Sequence, residues 1–156
     1  YSQKPTLILI TGEEGTGRKD IAKQLEKNLF DSGRVTFYMG MQNILLGVEA
    51  DIPKDSERVE NHKEIMRRLG EVGNIMLHAG NLFIVTAIGI RNQDIEILKT
   101  TLNGAIETIW VGEDVTTDLT PDLHLDSFNN TNEAVNKIKD YLGIKGIIFN
   151  SWVYSI

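Results

Sequence analysis

The chain has 156 residues, a net charge of −6 and no cysteine. Disulfides, thiolate metal sites and cysteine nucleophiles are therefore excluded, and the acidic balance argues against nucleic acid or an anionic membrane as partner, since both demand clustered basic surface. The length suits one domain with a sizeable core, no run approaches the roughly 20 apolar residues of a membrane span, and no signal peptide is visible, so a cytoplasmic protein is expected.

The first apolar run, residues 7–10, has the length and β-branched content of a buried strand. The loop Gly12-Glu13-Glu14-Gly15-Thr16-Gly17-Arg18-Lys19-Asp20 follows it. A helix is expected over 18–31, with Ala22, Leu25 and Leu29 on one face and Gly33 as the stop signal. Residues 35–38 read as the second strand. Residues 56–79 read as a long helix carrying Ile65, Leu69, Val72, Met76 and Ala79 on one face and ending at Gly80. A third strand at 82–87, a helix at 93–102 ended near Gly104, and a fourth strand at 106–111 come next. A short strand at 123–125 precedes the last helix, 130–142. There Asn130 and Glu133 have capping-box spacing, Ala134, Val135, Ile138 and Leu142 form the apolar face, and Gly143 is the stop. Alternating strands and helices of this kind predict an α/β fold: three layers around a doubly wound, mainly parallel five-stranded sheet. The expected organisation is one domain over residues 1–143, with 144–156 as an apolar extension of that domain. The extension carries Ile147, Ile148, Phe149, Trp152, Val153, Tyr154 and Ile156. It reads as an extra strand or arm on its own domain, or as a contact with another subunit. A start at Tyr1 rather than Met suggests a fragment of something longer.

The loop after the first strand matches the glycine spacing of a phosphate loop, G-x-x-x-x-G-K-[ST], in the strand–loop–helix context that gives the pattern meaning. Such a loop wraps phosphates in backbone N–H groups at a helix N-terminus. Gly12, Gly15, Thr16 and Gly17 keep that frame. Arg18 stands where a lysine is expected, and a planar guanidinium does not freely replace an ammonium. Lys19 stands where a magnesium-binding hydroxyl is expected, and an ammonium has no lone pair to offer. Glu13 and Glu14 add negative charge where ATP carries its own. The loop residues Gly12, Gly15, Thr16, Gly17, Arg18 and Lys19 are the candidate phosphate-binding set.

These phrases resemble the adenylylsulfate kinase family, P-loop enzymes that phosphorylate the 3′-hydroxyl of adenylyl sulfate. The likeness runs from Ile10-Thr11-Gly12 through Arg67-Arg68-Leu69-Gly70-Glu71-Val72, His78-Ala79-Gly80 and Ile84-Val85-Thr86-Ala87 to Pro121-Asp122-Leu123-His124-Leu125-Asp126. The resemblance implies a P-loop kinase fold, Mg-ATP as nucleotide, and a setting in sulfate assimilation. It also implies fusion to, or partnership with, a GTPase or ATP sulfurylase domain, and leaves room for a homo-oligomer.

The chain departs from the family pattern at its working positions. The family's Asp-Gly-Asp-Asn phrase, which serves magnesium and the acceptor hydroxyl, reads Met39-Gly40-Met41-Gln42 here, and the arginine that follows falls near Ile44. The acceptor-binding Arg-x-x-Asn, aligned without gaps from Arg67-Arg68, holds His62 and Ile65. Arg58 and Asn61 have its internal spacing one helical turn earlier, and they are the candidate substrate contacts. The family's Ile-Ser-Pro segment is replaced by Gly89-Ile90-Arg91, and its long basic lid by a short stretch with Glu113, Asp114 and Asp118 and no Lys or Arg. Of the remaining candidates, His124 reads as packed within a short strand, His78 as a helix-end cation and His62 as isolated from a second ligand. Thr116-Thr117-Asp118 reads as turn chemistry. No catalytic residue and no metal ligand is expected. The reading is a catalytically degenerate domain with a structural, interaction or anion-binding role. The alternatives are an active adenylylsulfate kinase, or a P-loop domain for a different nucleotide.

Overall fold

The computed structural model describes residues 2–41 and 58–150, with residues 58–60 described by backbone alone. Within them five strands and four helices alternate: β1 (Thr6–Gly12), α1 (Arg18–Asp31), β2 (Thr36–Gly40), α2 (Arg58–His78), β3 (Leu82–Ile88), α3 (Asn92–Thr101), β4 (Ala105–Val111), β5 (Leu123–Leu125) and α4 (Thr131–Ile144). The sheet runs in the order β2-β3-β1-β4-β5 and every pairing is parallel. The expected doubly wound α/β sheet is thus present, and it is wholly parallel.

Burial explains why these apolar runs are strands. Every residue of β1 is buried, as both faces of a central parallel strand must be. Leu7, Leu9, Phe83, Val85 and Trp110 point to one face and pack with Ile65, Met66, Leu69, Leu98 and Leu102 of α2, α3 and the turn after α3. Ile8, Ile10, Ile84, Ile109 and Val111 point to the other and pack with Ile21, Leu25 and Leu29 of α1 and Val135, Ile138 and Leu142 of α4. Register sets Gly12 opposite both Ile88 and Val111, and Val111 opposite Leu125. Four strands therefore finish on one edge, where open α/β sheets bind ligands.

Several local readings change. Of the expected α2 face, Ile65 and Leu69 are buried and Val72 and Met76 pack partly buried against the same core, whereas Ala79 is exposed beyond the helix end. Met66, Gly70, Gly73 and Leu77 are buried as well, and two of these are glycines that let α3 approach closely. A Cβ on Gly70 would lie 2.7 Å from the Cβ of Thr101, and one on Gly73 2.7 Å from a Leu102 methyl. Helix α4 runs through Gly143 to Ile144, and the left-handed turn falls at Gly146 (φ 73°) instead. His124 is exposed on the edge strand, not packed, with Nε2 2.7 Å from the Gly112 carbonyl. The described part of the C-terminal extension packs on its own domain. Ile148 bridges Gln3 antiparallel, Lys4 N donates to Ile147 O, and Phe149 N donates to Ser2 O. Trp152 and the residues after it, like Gln42 and Ile44, lie outside the described residues.

Candidate functional site at the carboxyl edge of the sheet

Gly12 ends β1 and is wedged between its neighbours. A Cβ there would sit 2.3 Å from the Val111 carbonyl oxygen, and the Gly12 carbonyl accepts from Gly89 N at 2.9 Å. The chain then turns through Gly15 (φ 83°) and Gly17 (φ 80°), left-handed conformations that glycine adopts without strain. The Thr16 hydroxyl donates to the Glu13 carbonyl at 2.9 Å, which closes the turn. Gly17 is the N-cap of α1, so the loop delivers its amides to a helix start as a phosphate loop does.

The side chains are arranged differently from the frame. Arg18 opens α1 and reaches across to β3, where its Nη1 donates to the Ala87 carbonyl at 2.7 Å. Its Nε is buried without a hydrogen-bond partner among the described residues. Burial lowers the pKa of the guanidinium, and the carboxylates of Glu14 and Glu13, with Tyr38, oppose that shift. Lys19 is exposed. Glu13 turns away from the loop, and its carboxylate accepts a hydrogen bond from the Thr116 hydroxyl in the β4–β5 connection. That connection is short and pinned. Asp118 accepts from Asn92 N at 3.0 Å, Asn92 Nδ2 donates to the Asp118 carbonyl, and the Thr117 hydroxyl donates to Ile90 O. Of the turn chemistry expected of Thr116-Thr117-Asp118, the Thr117 hydroxyl accepts locally from Leu119 N at 3.2 Å, and the other bonds tie the connection to distant segments.

Beside the loop lies a cleft of about 580 Å3, walled by Glu14, Arg18, Lys19 and Lys23 from the loop and α1. Tyr38, Gly40 and Met41 from β2 and its end, His62 from α2, and the residues leaving β3 complete it. The positions of the family carboxylates hold Met39, packed against the core, and Met41, itself buried. Tyr38 is fixed by a 2.8 Å hydrogen bond between its hydroxyl and that of Thr86. Asn61 is half-buried, and the neighbouring His62 is the α2 side chain that lines the cleft. The Arg58 side chain lies outside the described residues.

His62 is not isolated. Its Nε2 lies 2.5 Å from Asp94 Oδ1, and Asp94 Oδ2 accepts from Arg91 N at 2.9 Å. The hydrogen bond to Asp94 raises the pKa of the imidazole against the opposing effects of burial and Arg91. Burial works against the Asp94 carboxylate, but the bonds from His62 and Arg91 outweigh it and hold its pKa below the usual value. The pair links α2 to the first turn of α3, and His62 lines both the main cleft and a second one of about 390 Å3. The sequence offered only a faint sign of it: Asp94 falls in the first turn of the helix after β3 and His62 in the second turn of the helix before it. Among the described residues no group of three or more His, Cys, Asp or Glu side chains is placed to hold a metal ion. No helix among them is long and apolar enough to cross a membrane.

Residues 4–144 match the family model described as adenylylsulphate kinase. A relative named bifunctional enzyme NodQ, from Azospirillum brasilense, is 32% identical over 111 residues, covering 70% of this chain and 17% of that protein. The adenylyl-sulfate kinase of Pseudomonas aeruginosa is 36% identical over 93 residues, covering 59% of this chain and 45% of the relative. The chain thus spans less than half the length of these relatives. Among solved structures, the Mycobacterium tuberculosis APS kinase CysC Cys556Ala mutant superposes with a TM-score of 0.75 at 20% identity, covering 90% of this chain and 99% of that one. At that identity the superposition speaks for the fold alone.

Proposed function

The chain belongs to the adenylylsulphate kinase family, and we propose that it is a member that has kept the anion-binding frame and lost phosphoryl transfer, serving a larger sulfate-activation protein as a structural, interaction or anion-binding domain. The observation that carries this reading is the Arg18–Ala87 bond. The cation in the place of the loop lysine donates to a backbone carbonyl of β3 at 2.7 Å. Phosphoryl transfer works by placing cations and a metal around the transferring group and a base on the acceptor hydroxyl.

The donor chemistry present does not fit Mg-ATP held in the family manner. Lys19 brings a like charge to the metal position, and Met39 and Met41 bring apolar groups to the carboxylate positions. The connection occupying the lid position is acidic and tied down. An anion, by contrast, finds glycine-framed amides at the start of α1 with Lys19 and Lys23 beside them. In this reading Gly12, Gly15, Thr16, Gly17, Arg18 and Lys19 form a phosphate-binding loop without catalysis. A multidomain setting draws support from the bifunctional relative. The GTPase or sulfurylase identity of the neighbouring domain, and self-association, belong to the same proposal.

The test is γ-phosphate-labelled ATP with magnesium and adenylyl sulfate, run beside an active relative. No label should reach the sulfonucleotide. Transfer at the relative's turnover would overturn the reading.

A further inference from the structure

We propose that His62, held by Asp94, is a proton-dependent contact for the oxyanion of a phosphate- or sulfate-bearing ligand in the main cleft. This rests on the reading of the cleft as a retained anion site, and it names the residue that answers the loop from the opposite wall.

Among the described residues His62 is the α2 side chain on that wall, and its side chain is half exposed (49%). The groups around it are Asp94 and Arg91 from the β3–α3 side and Lys63 from its own helix, with Glu14, Arg18, Lys19 and Lys23 across the cleft. Asp94 is 4% exposed and anchored at 2.9 Å by the Arg91 amide, so its carboxylate is fixed in place. A fixed acceptor 2.5 Å from Nε2 keeps a proton on that nitrogen in both ionisation states. Titration therefore happens at Nδ1. There the imidazolium offers an N–H donor and a positive charge, while the neutral ring offers only a lone pair, which repels an anion. Across the cleft Arg18 is already bonded to Ala87, and among the described residues His62 is a group whose change of charge alters how the far side of an anion is met. The Asp94 bond moves this change above the ordinary value of 6.5.

The experiment measures binding of adenylyl sulfate, and separately of inorganic sulfate, without metal at about pH 6 and about pH 8.5. Neither probe changes charge over that range. Wild type should bind roughly tenfold more tightly at the lower pH, as one charge-assisted hydrogen bond implies. His62→Gln should lose that pH dependence, and Asp94→Asn should move its midpoint downward. Because protonation and binding are reciprocal, saturating probe should also raise the ring titration of His62 seen by NMR in the unmodified protein. That readout serves even if the Asp94 variant fails to fold. A response to both probes assigns the contact to any oxyanion, and a response to adenylyl sulfate alone assigns it to a nucleotide-borne one; either supports the proposal. Equal affinity at the two pH values, an undiminished slope in His62→Gln, or no binding at the lower pH would overturn it. Label transfer in the kinase assay would sink the loss-of-transfer reading and leave this slope untouched.

Discussion

Three glycine-to-alanine changes in helices separate packing from propensity. In each, alanine gains helix propensity, about 1 kcal/mol in mid-helix and about half that near an end. At Gly143 of α4 an added Cβ meets nothing among the described residues within 4 Å, so the gain should stand and the protein should stabilise by about 0.5 kcal/mol. At Gly70 of α2 the new methyl would sit 2.7 Å from the Cβ of Thr101, 3.0 Å from its Cγ2 and 3.3 Å from the Leu102 amide nitrogen. These atoms lie on or next to backbone and cannot step aside without moving α3. Overpacking of that kind costs about 1–3 kcal/mol, so after the propensity gain Gly70→Ala should lose about 0–2 kcal/mol net. At Gly73 the obstacle is the mobile methyl end of Leu102, and the two terms should nearly cancel. Urea unfolding read by Trp fluorescence and circular dichroism gives the midpoints, and an unchanged m-value certifies the comparison. Thermal midpoints should move about 2–4 °C per kcal/mol. A Gly70→Ala protein as stable as Gly143→Ala would refute the account of α2 lying directly against α3.

Asn130→Ala removes the side chain that accepts from Glu133 N at 2.9 Å, and should cost about 1 kcal/mol in the same unfolding assay. Burial, reinforced by the hydrogen bond to Glu107, pushes the Tyr141 phenol far above its ordinary range. An alkaline absorbance titration of the folded protein should therefore show a late phenol ionisation, and Tyr141→Phe should remove that late step. The His62–Asp94 pair gives a pH dependence of stability. The imidazole pKa is raised, so its contribution is complete below 6.5 and disappears as pH climbs through the folded value. The carboxylate pKa is lowered, so its contribution is complete above 3.8 and disappears as pH falls through the folded value. The stability gap between wild type and His62→Gln should be widest between about pH 4 and 6.5 and narrow toward pH 8; a gap that widens there would contradict the assignment.

Local patterns carried the fold well. The β1 and β3 runs are apolar on both faces because helices cover both, and that pattern points to parallel pairing, although β1 extends past the expected 7–10 to Thr6–Gly12. Helix α1 begins after a glycine-rich turn and repeats Ala22, Leu25 and Leu29, and it was legible to the residue. The Asn130 cap was legible for the same reason, since donor and acceptor lie three residues apart. What escaped depended on distance along the chain. Arg18 and Ala87 are 69 positions apart, His62 and Asp94 32, and Glu13 and Thr116 103. Such partners meet through topology, which no spacing rule encodes. Gly143 was taken for a stop because composition alone cannot tell an idle glycine from a left-handed one. His124 was misplaced because β5 is an edge strand, and alternation says nothing of which strand stands outermost.

Gln3 stitches the far rim of the sheet. Its amide donates to the Val35 and Gly80 carbonyls at 2.8 Å, and its oxygen accepts from Val35 N, while its backbone bridges Ile148. The route into β1 and the route out of α4 thus run side by side, at the end of a seven-residue strand from the glycine loop, roughly 20 Å away. Anything tethered at either position would pull on a single pivot behind the sheet, and the cleft would stay open to swing toward whatever it serves.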